Sequence, residues 1–436
     1  MLPETIRRID EILARAQATG RVPALVAAVV RDGRLAHFTG AGELPPPDPD
    51  TQYRIGSISK TFTAALILRL RDEERLSLDD PLARHLPGTP IGGATIRQLL
   101  GHVSGLQREP VGEWWERSAG VPVDRLLAEL TTDKLALPAY QTFHYSNLAY
   151  GLLGAVAERI TGEPWWTQVG KRLLEPLDMG RTTYHATEPF ARGYVVHPWH
   201  GTLREEPRHD AGAMAPAGQL WSTAADLAKW AAFLADPEPS ILAPASVALM
   251  CAPAAISDLI HWTAGHGLGL QLWRRGERVY AGHTGSMPGY LAVLAVHRAS
   301  GTGVVAYANA YTLAGQTIGG LGLALLDAVL DSEPARIAAW RPGAAPPPDV
   351  EPLTGRWWWM GKEFEASWDG GTRELLVIPV ADRSAVWRFT REATDQWRCH
   401  SGMNDGEVLV VRRGRGGAVT ALDIATFILT RDPWTA

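Results

Sequence analysis

Apolar positions along this chain change their spacing from one stretch to the next, and the spacing predicts the elements. Ile6, Ile9 and Leu13 recur at helical intervals within MLPETIRRIDEILARAQ, which predicts an amphipathic amino-terminal helix. Residues 25–30 and 35–39 are short apolar runs around Arg31-Asp32-Gly33, the pattern of a β-hairpin. A long helical pattern opens at Ser57 and continues to about Leu76. Residues 101–147 then lose their periodicity, apart from a helical run over 123–130. An irregular stretch of that length, with Gly, Pro and Trp scattered through it, commonly covers a site.

Periodicity returns in helices predicted over 148–160, 224–234 and 315–330. Ser222 and Thr223 precede the second as N-cap candidates, since a hydroxyl there accepts from a first-turn amide. Between the last two helices, residues 268–273, 278–282, 291–297 and 304–308 are joined by Gly-containing turns and predict an antiparallel meander. Helices covering such a sheet make an α+β domain, placed at residues 1–340. The sequence RPGAAPPPDVEP over 341–352 has no periodicity, and its prolines lack amide donors, so it reads as a linker. Beyond it, over 353–436, apolar segments around Phe364, Leu375, Trp387, Trp397, Val408, Val419 and Phe427 recur about every ten residues between polar turns, predicting a small all-β sandwich or barrel.

Composition narrows the function classes. The chain has 436 residues, a formal net charge of -5 and a pI near 6.2, so it lacks the basic footprint that nucleic-acid binding demands. Cys251 and Cys399 fall in different predicted domains and suggest no disulfide framework. The amino-terminal segment lacks the apolar stretch of a signal peptide and no long apolar run follows, so a cytoplasmic protein without a membrane segment is expected. There are only five lysines, which gives weight to any lysine inside a motif.

Lys60 is in such a motif. Ser57-Ile58-Ser59-Lys60 opens the first long helical pattern, and residues i and i+3 share a helix face, so the serine hydroxyl and lysine amine can meet. A serine hydroxyl becomes a nucleophile when a base takes its proton, and a lysine serves once burial and the helix dipole lower its pKa. By itself the spacing also fits an exposed first-turn lysine. Tyr145-Ser146-Asn147 stands just before the next helix, where a phenol can relay a proton and an amide can orient a carbonyl or Lys60. Tyr307-Ala308-Asn309 repeats the spacing, but at the end of an apolar strand, where packing or edge roles fit better. His283-Thr284-Gly285-Ser286 follows the predicted strand 278–282 and reads either as a surface turn or as a strand edge that hydrogen-bonds an acyl substrate.

In this order, S-I-S-K, Y-S-N and H-T-G resemble the three motifs of the penicillin-recognising serine hydrolases, in the branch of class C β-lactamases and esterases. His102-Val103-Ser104-Gly105-Leu106, Pro176-Leu177-Asp178-Met179-Gly180 and Gly218-Gln219-Leu220-Trp221-Ser222-Thr223 fit the same resemblance, which covers roughly residues 5 to 332. It implies an antiparallel sheet flanked by helices with an all-helical subdomain. It also implies Ser57 as nucleophile, Lys60 and Tyr145 as the acid–base network and Asn147 as a substrate and lysine contact. His283 would take the third motif's cationic position, beside the substrate contacts Thr284 and Gly285, and the amides of Ser57 and Ser286 would form the oxyanion hole. No cofactor or metal is required by that chemistry. No G-x-S-x-G is present, so a nucleophile elbow is not supported.

Most such peptidases and β-lactamases have lysine where His283 stands, and a largely neutral imidazole holds a substrate carboxylate less firmly, so weak β-lactamase activity is expected. The carboxy-terminal module resembles the lipocalin-like domain of some D-aminopeptidases, esterases and penicillin-binding-protein-type thioesterases. That resemblance implies a peptidyl ester, thioester or amide substrate, with release and macrocyclisation of nonribosomal peptides as the sharpest version and delivery by a carrier protein as an option. An esterase or a D-stereospecific aminopeptidase is the close alternative, and a non-catalytic peptide-binding module a distant one. Trp114 and Trp115 are candidates for an apolar wall along a peptide, or packing anchors. Arg431, near the final strand's end, is either a carboxylate contact or a solvated side chain.

Overall fold

A computed structural model describes residues 1–334, 342–383 and 385–434 of the chain. The chain divides into two compact units, Met1–Arg336 and Ile337–Ala436. The predicted boundary between residues 340 and 341 lies outside the described residues.

The first unit is built on β1 (Ala24–Arg31), β2 (Arg34–Gly42), β3 (Ala255–Ile256), β4 (Ala264–His266), β5 (Gln271–Arg275), β6 (Arg278–Met287), β7 (Tyr290–His297) and β8 (Thr302–Ala308). They form one antiparallel sheet in the order β2-β1-β8-β7-β6-β5-β4-β3. The first and last strands of this unit's sheet in chain order, β1 and β8, therefore pair side by side, with Val26 opposite Tyr307. Both faces of the sheet are covered, which is why β1 reads as an unbroken apolar run rather than an alternating one. Leu25, Ala27 and Val29 pack against α1 (Pro3–Gly20), through its Ile9, Leu13 and Ala16. On the other face Val26, Ala28 and Val30 join the core of α2 (Ser59–Asp72), α3 (Asn147–Thr161) and α4 (Ala224–Ala235).

The helices begin where their caps allow. Ser146 Oγ accepts from Ala149 N at 3.1 Å to open α3, and Thr223 Oγ1 accepts from Asp226 N at 3.0 Å to open α4, so Thr223 rather than Ser222 is the cap. The last helix of this unit, α5 (Ile318–Ser332), is capped by Thr317 and so starts three residues later than predicted. The helix predicted from Ser57 starts with a 3-10 turn, Gly56–Ile58, before α2 proper, and ends at Asp72, four residues early. No helix among the described residues is long and apolar enough to cross a membrane.

The second unit is a closed antiparallel barrel of eight strands: β9 (Gly355–Trp359), β10 (Lys362–Asp369), β11 (Glu374–Pro379), β12 (Trp387–Ala393), β13 (Gln396–Cys399), β14 (Val408–Arg413), β15 (Val419–Ile424) and β16 (Phe427–Thr430). Of the two all-β forms, the chain adopts the barrel. Its core holds Trp357, Phe389, Trp397 and Leu422. Val350 and Leu353 belong to that core as well, so the last residues of the predicted linker are packed structure: turns at Val350 and Leu353 turn both side chains inward.

Candidate active site

Ser57 sits in the 3-10 turn before α2, partly accessible while the residues on either side are buried. Gly56 adopts φ +51, and a Cβ there would lie 2.5 Å from Ser286 N. A Cβ on Gly285 would lie 1.9 Å from Ile55 O and 3.2 Å from Ser57 N. Real Cβ atoms essentially never come within 3.0 Å of such neighbours, so these two glycines allow the turn that carries Ser57 to press against β6 at Gly285 and Ser286. Two adjacent backbone donors beside a nucleophile are what a developing oxyanion requires.

Lys60, one turn on, is fully buried. Its Nζ donates to Ser57 Oγ at 3.1 Å, to Asn147 Oδ1 at 2.7 Å and to Ala217 O at 2.7 Å. None of these partners carries a charge. Burial therefore dominates and lowers the ammonium from 10.5 to about 7, against the opposing pull of the Glu116 and Glu109 carboxylates. A large neutral fraction at pH 7 leaves Lys60 able to accept a proton, 3.1 Å from Ser57 Oγ.

Tyr145 and Asn147 flank the cap residue Ser146, and that placement sends both into the site. Burial holds the Tyr145 phenol well above its ordinary value, against the opposing pull of the neighbouring Ser57 hydroxyl, so it stays protonated. Asn147 Nδ2 donates to Glu109 Oε1 at 2.8 Å, and Glu109 Oε2 accepts from Trp115 Nε1 at 2.8 Å. A chain of hydrogen bonds thus runs from Trp115 through Glu109 and Asn147 to Lys60. His102 supports the motif from behind: its Nδ1 accepts from Ser146 N at 3.1 Å, and its ring stacks on Tyr145 with centroids 4.3 Å apart. The other Y-x-N sequence is structural. Tyr307 stacks on Tyr53 and donates to Thr223 O, while Asn309 Oδ1 accepts from Ala24 N and its amide donates to Leu44 O and Arg192 O.

His283-Thr284-Gly285-Ser286 lies inside a strand, not after one, because β6 continues to Met287. The glycines that resemble a turn signal are packing requirements: a Cβ on Gly282 would meet Leu294 O at 1.9 Å. Pairing with β5 stops at Gly282 opposite Gln271, whereas pairing with β7 continues to Met287. Among the described residues, the β5-side edge of 283–287 has no strand partner, and Ser57 stands beside this open edge. Gln271 Oε1 caps its start, accepting from Thr284 N at 3.0 Å and Thr284 Oγ1 at 3.1 Å. An unpaired edge with a nucleophile against it is a place for an extended peptide to add as a strand.

His283 does not supply the cation implied by the motif. It is fully buried, and burial together with Lys60 and His266 holds its pKa well below the usual imidazole range. Its Nδ1 is bonded to Thr284 O, and its Nε2 has no partner among the described residues. The ring is thus neutral, and His283 lines a cavity of about 390 Å³ together with Ser57, Tyr145, Thr284 and Ser286. The cation in that lining is Arg108, whose guanidinium lies 5.9 Å from the Tyr145 ring centroid and 3.2 Å from Glu109.

Trp114 and Trp115 do not form one wall. Trp115 is buried, bonded to Glu109, and packed where a side chain on Gly218 would touch its ring; Trp114 is half exposed beneath the Arg117 guanidinium. Arg431 is a correction too. Its guanidinium stacks on Trp357 at 3.7 Å and donates to the carbonyls of Arg356, Pro352 and Thr354 within the barrel unit, so its donors are engaged in closing that fold.

Residues 9–326 match the family described as Beta-lactamase. The chain belongs to that family. Residues 346–431 match a domain family of unknown function, DUF7586. The chain is similar to human "Putative beta-lactamase-like 1", 29% identical over 409 residues that cover 88% of this chain and 80% of the human one. Matches to other curated relatives cover 39% to 59% of those proteins' own length. Among solved structures, SurE aligns over 98% of this chain and 99% of its own at 25% identity and TM-score 0.61. A D-stereospecific amidohydrolase from Streptomyces aligns over 76% of this chain and 99% of its own at 28% identity and TM-score 0.63.

Within this family member, sequence reasoning leaves out Glu109, Arg108, His102 and Gln271 as site residues. His102 stands in one of the recognised family segments, so a signal existed. Glu109 and Arg108 lie in the irregular stretch, where no period marks which side chains turn inward. Glu116 is a further addition: burial and the Glu109 charge raise its carboxyl to about 7, while Lys60 and Arg54 act on it in the opposite direction.

Proposed function

We propose that this serine hydrolase-type protein acts on peptidyl thioesters, esters or amides, and most sharply that it is a stand-alone thioesterase that releases and macrocyclises peptides. The observation that carries this reading is the open edge at 283–287 with Ser57 and the buried Lys60 set against it. Ser57 Oγ attacks the carbonyl carbon as its proton passes to Lys60, and the oxyanion is held by the Ser57 and Ser286 amides. The thiolate or amine leaves with a proton from the Lys60–Tyr145 pair. The acyl-enzyme is then resolved by water or by the peptide's own amine, whose proton passes to Lys60 and on to Ser57 Oγ as the serine hydroxyl is released. A carrier-protein thioester is the matching acyl donor, and a cytoplasmic location goes with it, since such donors are made and kept inside the cell. With a neutral histidine at 283, penicillin turnover is slow.

A D-stereospecific amidase or aminopeptidase is the second reading. It is favoured by the likeness to the Streptomyces amidohydrolase. A fluorophosphonate followed by intact-mass measurement tests the shared chemistry: one adduct forms on the wild type and none on Ser57→Ala. Equal labelling of both proteins, or of neither, sinks the acyl-enzyme reading and leaves the binding module. Products from a linear peptidyl thioester separate the finer readings, since linear acid alone rules out cyclisation. Cleavage of a D-amino-acid amide with no thioester turnover assigns the amidase.

A further inference from the structure

The first unit holds a second cavity, about 380 Å³ in volume, which shares no lining residue with the one beside Ser57. Glu158 on α3, Trp165 and Trp166 on the short helix Trp165–Val169, and Tyr184 line it. Ligand sites run from roughly 300 to 1,000 Å³, so this one fits a small molecule.

Its charge is negative. Glu158 Oε1 accepts from Trp165 N at 2.9 Å, the carboxylate forms no ion pair among the described residues, and none of these that line the cavity is a lysine or arginine. The Trp166 and Tyr184 rings lie 6.0 Å apart and tilted, with His185 edge-on to Tyr184 at 4.8 Å. Tyr184 donates to Asp210 Oδ1 at 2.6 Å, and a phenol bonded to a carboxylate has a ring face richer in electrons. Trp165 is 2% exposed, and its Nε1 donor has no hydrogen-bond partner among the described residues. Buried donors are almost always paired, so an orphan at a cavity wall marks the place of an absent acceptor. An uncompensated carboxylate beside electron-rich rings attracts a cation, and ring faces, which accept no strong hydrogen bond, suit a quaternary ammonium. The Trp165 donor suits an oxygen on the same molecule.

We propose that this cavity binds a small free hydroxyalkyl quaternary ammonium, choline or a molecule of the same head and length. The ammonium lies against Trp166 and Tyr184 with Glu158 as its countercharge, and the hydroxyl oxygen accepts from Trp165 Nε1. A phosphate on that hydroxyl would stand against the Glu158 charge, which selects the free alcohol over a phosphorylated or lipid-borne head. The test is calorimetric titration of the full chain at pH 8 with choline chloride, at ionic strength held constant with sodium chloride. It is repeated with phosphocholine and with 3,3-dimethyl-1-butanol, the uncharged carbon isostere of choline. Saturable one-to-one binding of choline is expected, weakened about tenfold by Glu158→Gln and by Trp166→Leu, and at least tenfold for either analogue. Glu158→Gln keeps the acceptor for Trp165 N. Circular dichroism establishes that each variant is folded; if Trp166→Leu is not, Glu158→Gln and the analogues decide. Absence of saturable heat, undiminished binding to folded Glu158→Gln, or equal affinity for choline and either analogue overturns the proposal. The status of Ser57 affects none of these outcomes.

Discussion

Lys60 has three hydrogen-bond partners and no countercharge among them, so its proton affinity is set by burial, with Glu116 and Glu109 as the main opposing influences. As the base proposed for Ser57, Lys60 works as the neutral amine, which grows as pH rises through about 7. We therefore expect kcat/KM to rise with pH and level off above that value; a profile flat between pH 6 and 8 would exclude Lys60 as the base. Lys60→Arg, which cannot deprotonate, should lower kcat about a thousandfold in the same assay. Both carboxylates raise the Lys60 pKa, so Glu109→Gln is expected to move the inflection towards acid, because removing a negative charge favours the neutral amine. A loss of activity at an unmoved inflection would give Glu109 a purely structural role.

Among the elements, the contact between the nucleophile turn and β6 is the most sensitive, because it rests on missing side chains. A methyl group at Gly285 would have to occupy the position of Ile55 O, which moves the strand, the turn, or both. Gly285→Ala is expected to leave the far-UV spectrum native and to reduce acylation of Ser57 about a hundredfold or more, since misplacement by about an ångström costs that much. Acylation at the wild-type rate would show that the two amides are not held by this contact. The same glycine shows the limit of reading elements locally. In sequence, H-T-G-S looks like a turn after a strand. In the fold it continues β6, because packing of backbone on backbone demands glycine there. The helix-start signals were legible by contrast: Thr223 caps α4, and Ser146 caps α3, because a hydroxyl finds its amide within three residues.

At the scale of the molecule, the residues of the sheet unit and those of the barrel form separate buried clusters. Independent cores imply independent folding. A chain ending at residue 340 is expected to fold and to give the same Ser57 adduct with a fluorophosphonate; an unfolded or unlabelled product would show that the first unit depends on the second. The α+β character, the all-β module and the order of the three motifs could all be read from the sequence, because each depends on spacing within a few residues. What the sequence did not contain was which side chains from distant segments share a site. Glu109 meets Asn147, Arg108 enters the lining of the cavity beside Ser57, Trp115 becomes an anchor, and His283 is neutral because burial excludes water from it. Period and capping are properties of neighbours in the chain and are written into it directly. Partners, burial and the resulting proton affinities are set by contacts across tens or hundreds of residues, so only the folded chain decided them.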